Sequence, residues 1–164
     1  MKDIYSEATI KIVPEMTLAQ HAVVSNSPET DAVSHILCWA DKNGLSEETG
    51  SQPRILGWDF PFVSDEQREV FGMRGYVAAC VLSKEFKADF EGADIVKVEE
   101  NRYVSVTITE PREDSLRKIP NGYKKAFEFI ESNGLVQSWD GRVSFEEEYS
   151  VDGVRYMDVY VPIE

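Results

Sequence analysis

The chain is short of the residue types from which ready-made sites are built. It has two cysteines and two histidines in 164 residues. Cys38 and Cys80 are too few for a disulfide framework. They fall in a helix pattern and a strand pattern, where buried reduced thiols are the expectation. His21 and His35 have no close-spaced partner of a ligating type, so no metal site is expected. No glycine-rich phosphate loop and no G-x-S-x-G elbow occurs, and no cofactor is expected. Positive charge is scarce: 17 Lys and Arg stand against 30 Asp and Glu, a net charge of −13, with a pI near 4.6. An acidic surface repels phosphate backbones, and no helix-turn-helix pattern is present, so direct nucleic-acid contact is not expected. Apolar runs are far too short to span a bilayer, so no membrane contact is expected. The stretch MKDIYSEATIKIV has no apolar h-region. The expectation is a soluble, cytoplasmic protein.

What is present reads as one element order written twice. Hydrophobic residues make up 42% of the chain, enough for one compact domain. Ala8–Val24 reads as a strand pair, or one bent strand, broken at Pro14. Ser27-Pro28-Glu29 starts a helix with Val33, Ile36, Leu37 and Ala40 at helical spacing, closed by Asn43-Gly44. Strand-like runs follow at Arg54–Phe62 and Met73–Leu82. Between them Ser64-Asp65-Glu66-Gln67 forms a capping box. The second pass has a strand-like run at Ala93–Thr109 and a helix opened by Pro120. That helix carries Tyr123, Ala126, Phe127 and Ile130 on one face and stops at Asn133-Gly134. Strands at Arg142–Ser150 and Val154–Pro162 follow, joined at Asp152-Gly153.

Identities support a duplication: Ile10 falls on Ile95, Val13 on Val98, Glu15 on Glu100, and Asn43-Gly44-Leu45 on Asn133-Gly134-Leu135. Arg54 then matches Arg142, and Asp59 lies opposite Glu147. The predicted fold class is α+β. Duplicated β-α-β-β units form an antiparallel sheet with two main helices on one face and a ligand groove between the halves. Repeat one runs over about 7–82, a charged linker with Lys84, Glu85, Lys87, Asp89 and Glu91 over about 83–92, and repeat two over about 93–164. Residues 46–53 read as a further irregular stretch.

The segment R-V-S-F-E-E-E-Y-S, residues 142–150, concentrates the chemistry. As a strand it puts Val143, Phe145, Glu147 and Tyr149 on one face, and Ser144, Glu146, Glu148 and Ser150 on a polar face that reads as solvent. A carboxylate among apolar neighbours needs an internal cation, a proton or a charged ligand. Arg54, Arg74 and Arg155 are the candidate internal partners. Aromatic faces attract cations, so Trp58, Phe145, Tyr149, Tyr156 and Tyr160 around Glu147 suit a hydrophobic cation. In the closing strand Tyr156, Asp158 and Tyr160 alternate with Met157, Val159 and Val161, and the second set is expected to pack on the helices. Asp59 is the first-repeat counterpart of Glu147, a second acid if it shares the same face.

The ending F-E-E-E-Y-S…V-D-G-V-R-Y-M-D-V-Y-V-P-I, residues 145–163, resembles the closing hairpin of the GyrI-like effector-binding domains. G-W-D-F-P-F at 57–62 and M-R-G-Y-V-A at 73–78 resemble the first-repeat counterpart, and the likeness covers nearly the whole chain. The resemblance implies a single effector-binding domain of the kind found in multidrug-responsive regulators, in stand-alone gyrase-inhibitor-like proteins and in some hydrolases of cyclopropane-containing genotoxins. It implies that Glu147 faces a cationic aromatic ligand, with Tyr149 and Trp58 as walls. Three readings stay open at this point. The chain is a binding protein for hydrophobic cations. Or it is a hydrolase of electrophiles, with Glu147 and Tyr149 as the catalytic pair. Or it modulates a protein partner, with a homodimer as a further arrangement.

Overall fold

The computed structural model describes residues 3–45, 53–88 and 91–164. The irregular stretch at 46–53, Pro53 apart, and Asp89 of the linker lie outside the described residues. The fold is α+β, and the chain divides into two compact units. A central unit comprises Glu15–Val98, and a C-terminal unit combines Met1–Pro14 with Glu99–Glu164.

The central unit holds β2 (Met16–Ser25), α1 (Pro28–Lys42), β3 (Ile55–Asp59), α2 (Asp65–Glu69), β4 (Arg74–Leu82) and β5 (Asp94–Val98). Its strands run antiparallel in the order β3-β4-β2-β5. The C-terminal unit holds β1 (Thr9–Val13), β6 (Asn101–Thr109), α3 (Ser115–Ser132), β7 (Phe145–Val151) and β8 (Val154–Ile163), antiparallel in the order β1-β6-β8-β7.

The duplicated plan carries an exchange of leading strands. Pro14 and Glu15 separate β1 from β2, and the two do not pair. β1 joins β6 of the second repeat, while β5, which leads the second repeat, joins β2 of the first. Ala93–Thr109 is therefore two strands, with a break at Glu99-Glu100.

Each unit packs one main helix on one sheet face. Ala32, Ile36, Trp39 and Ala40 of α1 cover Ala19, Tyr76, Ala78, Cys80 and Leu82. Ala126 and Ile130 of α3 cover Val104, Val106, Ile108, Met157, Val159 and Val161. The helix faces differ in part from the predicted stripes: Leu37 and Phe127 are exposed, whereas Trp39 and Phe129, two residues further on, pack on the sheets. Cys80 is buried as expected, but Cys38 lies on the exposed side of α1.

Both helices end alike. Asn43 and Asn133 are C-caps whose side-chain amides donate back to the carbonyls of Trp39 and Phe129, at 2.9 and 2.8 Å. Gly44 and Gly134 follow with φ of +72° and +63°, a left-handed region where glycine pays no Cβ penalty. The starts of the two main helices differ from expectation, while that of α2 matches it. Ser27 caps α1 by position, yet its side chain makes no cap bond. The Ser64–Gln67 capping box on α2 is formed in both directions. α3 begins at Ser115, behind Asp114 with φ +65°, so Pro120 lies inside the helix rather than at its start. The N–H that Pro120 lacks would have served the carbonyl of Leu116, in a turn where Leu116 is exposed. Gly122 then lets the helix approach β6, because a Cβ there would lie 2.5 Å from Ile108 Cδ1. Among the described residues, no helix is long and apolar enough to cross a membrane.

Candidate ligand-binding face

In the C-terminal unit, α3 covers one face of the sheet and the candidate residues share the other. The β7–β8 register pairs Phe145 with Tyr160, Glu147 with Asp158, and Tyr149 with Tyr156. β6 adds Tyr103, Ser105 and Thr107, and β1 adds Lys11 opposite Tyr103. Alternation keeps all of these on the side away from Val104, Val106, Met157 and Val159. Phe145 and Tyr160 stack at 4.5 Å between ring centroids, with Tyr103 edge-on to Phe145 at 5.3 Å. Tyr149 and Tyr156 stack at 5.8 Å. Phe145, Tyr160 and Tyr103 are buried, while Glu147 and Tyr156 are half-buried and Tyr149 is exposed.

The organising acid on this face is Asp158, which sequence reasoning placed here but did not select. It is only 8% exposed. Its Oδ1 accepts hydrogen bonds from Thr107 Oγ1 at 2.5 Å and Tyr149 Oη at 3.1 Å. Lys11 Nζ lies 3.8 Å from Oδ2 and 5.4 Å from the centroid of the Tyr160 ring. Two hydroxyl donors and a nearby ammonium offset part of the cost of burying a carboxylate. Tyr149 registers the environment: burial, then the charge of Asp158 and its hydrogen bond, push the phenol up to about 12. Ser105 Oγ, on the same face of β6 and buried, has no hydrogen-bond partner among the described residues. The signal for Asp158 was the Tyr-x-Asp-x-Tyr alternation itself, since Thr107 and Lys11 come from strands distant in sequence.

The polar face predicted for β7 is not a solvent face. Glu146 accepts from Tyr123 Oη of α3 at 3.2 Å. Glu148 takes a bidentate ion pair from Arg112, with Nη2 at 2.7 Å. Both acids thus lie on the helix side of the sheet, tied to α3 and to the turn before it. Arg74, a candidate partner for Glu147, is paired with Glu29 at 2.7 Å.

In the central unit Trp58 is half-buried and lies on the face away from α1, because its register partner Val77 alternates with Tyr76 and Ala78 of the helix-side core. Asp59 is a correction. It pairs with Tyr76 and therefore lies on the helix side, at the exposed end of β3. Crowding by protein, then the charge of Glu29, raise its pKa against the pull of Arg74. Asp59 is thus not the counterpart of Glu147, since a one-residue slip exchanges faces. Trp58 holds that place. His21 and His35 stack at 3.6 Å, and His35 Nε2 lies 2.6 Å from the Gly92 carbonyl oxygen. Among the described residues, no group of three or more His, Cys, Asp or Glu side chains is arranged to hold a metal ion.

No family model matches the chain, and no curated protein matches it. Solved structures share its fold. The C-terminal domain of EcmrR aligns with TM-score 0.64 at 15% identity, covering 99% of each chain. A hydrolase from Listeria innocua aligns with TM-score 0.62 at 12% identity, over 96% of this chain and 92% of that one. SAV2435 bound to tetraphenylphosphonium aligns with TM-score 0.53 at 11% identity, over 97% and 94%. These likenesses are compatible with a GyrI-like fold.

Proposed function

We propose that the chain binds hydrophobic cations on the helix-distal face of its C-terminal unit. The observation that carries this reading is the register pair Glu147–Asp158, set between the Phe145–Tyr160 and Tyr149–Tyr156 stacks. Negative charge beside aromatic faces favours a cation whose own hydration is weak. Glu147 supplies accessible charge, Tyr149 and Tyr156 the rim, and Phe145 and Tyr160 the floor. SAV2435, similar in fold, is bound to such a cation. Calorimetric titration with tetraphenylphosphonium and with neutral triphenylphosphine oxide tests the reading. Glu147→Gln is expected to weaken the cation about tenfold, roughly 1.4 kcal/mol, and to leave the neutral compound unchanged. Equal losses for both compounds, or no saturable binding by the wild-type chain, would overturn it.

A second reading uses the same face. The Tyr149 phenol, bonded to Asp158 beside Glu147, keeps its proton well into the alkaline range and so acts as a donor. Glu147 would activate water as a general base, and a protein of similar fold is a hydrolase. Opening of a strained-ring electrophile by the wild type, abolished in Glu147→Gln and Tyr149→Phe, supports hydrolysis. Saturable binding without turnover supports binding alone.

A further inference from the structure

Asp158 divides its interactions in a way that gives Lys11 a role. Oδ1 is taken by the hydroxyls of Thr107 and Tyr149. Oδ2 faces Lys11 Nζ at 3.8 Å, beyond direct hydrogen-bond length. The same ammonium stands over the Tyr160 ring. Lys11 therefore draws on the two attractions that a bound cation would use, a buried carboxylate and an aromatic face. Its hold is slight. The Lys11 side chain is 42% exposed against 11% for Asp158, and a long ion pair to a solvent-exposed lysine is weak. Once released, an ammonium regains strong hydration. Lys11 arrives on β1, the leading strand exchanged into this unit, so the second repeat's own strands provide the acid and β1 its counter-charge.

We propose that Lys11 is a displaceable internal counter-ion that sets the charge selectivity of this face: a ligand cation takes its place beside Asp158 and over Tyr160, and Lys11 swings to water. The proposal rests on the cation-binding reading and adds its mechanism of selection. The exchange conserves the charge of the face. It favours cations that lose little hydration on entering, because the ammonium leaving gains much. A neutral ligand does not displace Lys11 and forgoes the contact with Asp158.

Two measurements on the whole chain test the exchange with tetraphenylphosphonium as probe. In calorimetric titration, Lys11→Met, which keeps the aliphatic stem and removes the competing charge, is expected to bind the probe about tenfold more tightly than wild type. In the wild-type chain, acylation of lysines by an activated ester, mapped by peptide mass analysis, is expected to speed up several-fold at Lys11 on probe binding. Lys124, on α3, should not change. Tight binding by both proteins with unchanged Lys11 reactivity, or weaker binding by Lys11→Met, would overturn the exchange while leaving cation binding intact. No binding by either protein would overturn the cation reading and the exchange with it.

Discussion

The β3–β4 and β7–β8 pairs hold matching places in the two units and carry opposite chemistry on the face away from the helix. Away from α1, β3 and β4 present Leu56, Trp58, Val77 and Ala79, with Leu56, Val77 and Ala79 buried. Away from α3, β7 and β8 present Phe145, Glu147, Tyr149, Tyr156, Asp158 and Tyr160. The helix-side faces of both units are apolar cores of the same kind. The helix side constrains both repeats through packing, and the far side is where one repeat could acquire charge. Acquiring it required donors from neighbouring strands: Thr107 of β6 and Tyr149 of β7 both reach Asp158. At the matching place Val77 has Ala22 and Trp58 as register partners. Ala22 offers no donor, and Trp58 only its indole N–H.

Exchanging the two residues breaks the comparison most sharply. Val77→Asp puts a carboxylate into the central unit between register partners, Ala22 and Trp58, that offer neither hydroxyl nor ammonium. It should cost ~3–5 kcal/mol, the penalty of an uncompensated buried charge. Asp158→Val removes a charge together with its need for partners, leaving the Thr107 and Tyr149 hydroxyls to find others, at ~1–2 kcal/mol. Urea unfolding of the two variants measures the asymmetry. Equal losses would mean that the donors around Asp158 do not compensate it.

The duplication was legible because caps and turns are local. Asn43-Gly44 and Asn133-Gly134 mark the helix ends. Asp152-Gly153 turns β7 into β8, with φ of +50° and +79°. The exchange of β1 and β5 was not legible, because partner choice depends on contacts far apart in the chain. Strand faces were legible only as alternation. Glu147 was placed on the same face as Tyr149 and Phe145, as found. Its supposed counterpart was misplaced by a single residue, which moved Asp59 to the wrong side of β3. Glu146 and Glu148 read as solvent-facing because Tyr123 and Arg112, which hold them, come from a different element. Asp158 was passed over for the same reason: Lys11, Thr107 and Tyr149 meet it only in the folded sheet.

The polar face of the C-terminal unit carries its own pH signature. The folded chain holds the Tyr149 proton up to about 12, whereas an ordinary phenol releases it near 10. Across that window the unfolded chain binds fewer protons, so stability is full below pH about 10 and falls as pH rises toward about 12. Tyr149→Phe should flatten this alkaline loss in thermal melts. Asp158→Asn should bring the late tyrosinate absorbance to lower pH by removing the neighbouring charge. An unchanged titration in Asp158→Asn would show that partial desolvation and the charge of Glu147, not Asp158, hold the proton.

The central unit shows the converse and smaller effect through His21, which lies on the helix side. Burial, then the charge of His35, lower the pKa of His21 from 6.5, with Asp94 of β5 pulling the other way. The unfolded chain takes up this proton as pH falls below 6.5, while the folded chain resists it. Stability is therefore present above 6.5 and lost below it, until His21 in the folded chain is also protonated. His21→Phe keeps a ring to stack on His35 and cannot titrate, so its melting temperature should fall less between neutral and mildly acid pH than that of wild type. If the two acid slopes coincide, His21 does not set the acid response. If they differ, His21 gives the central unit an acid response to set beside the alkaline response of Tyr149 in the C-terminal unit.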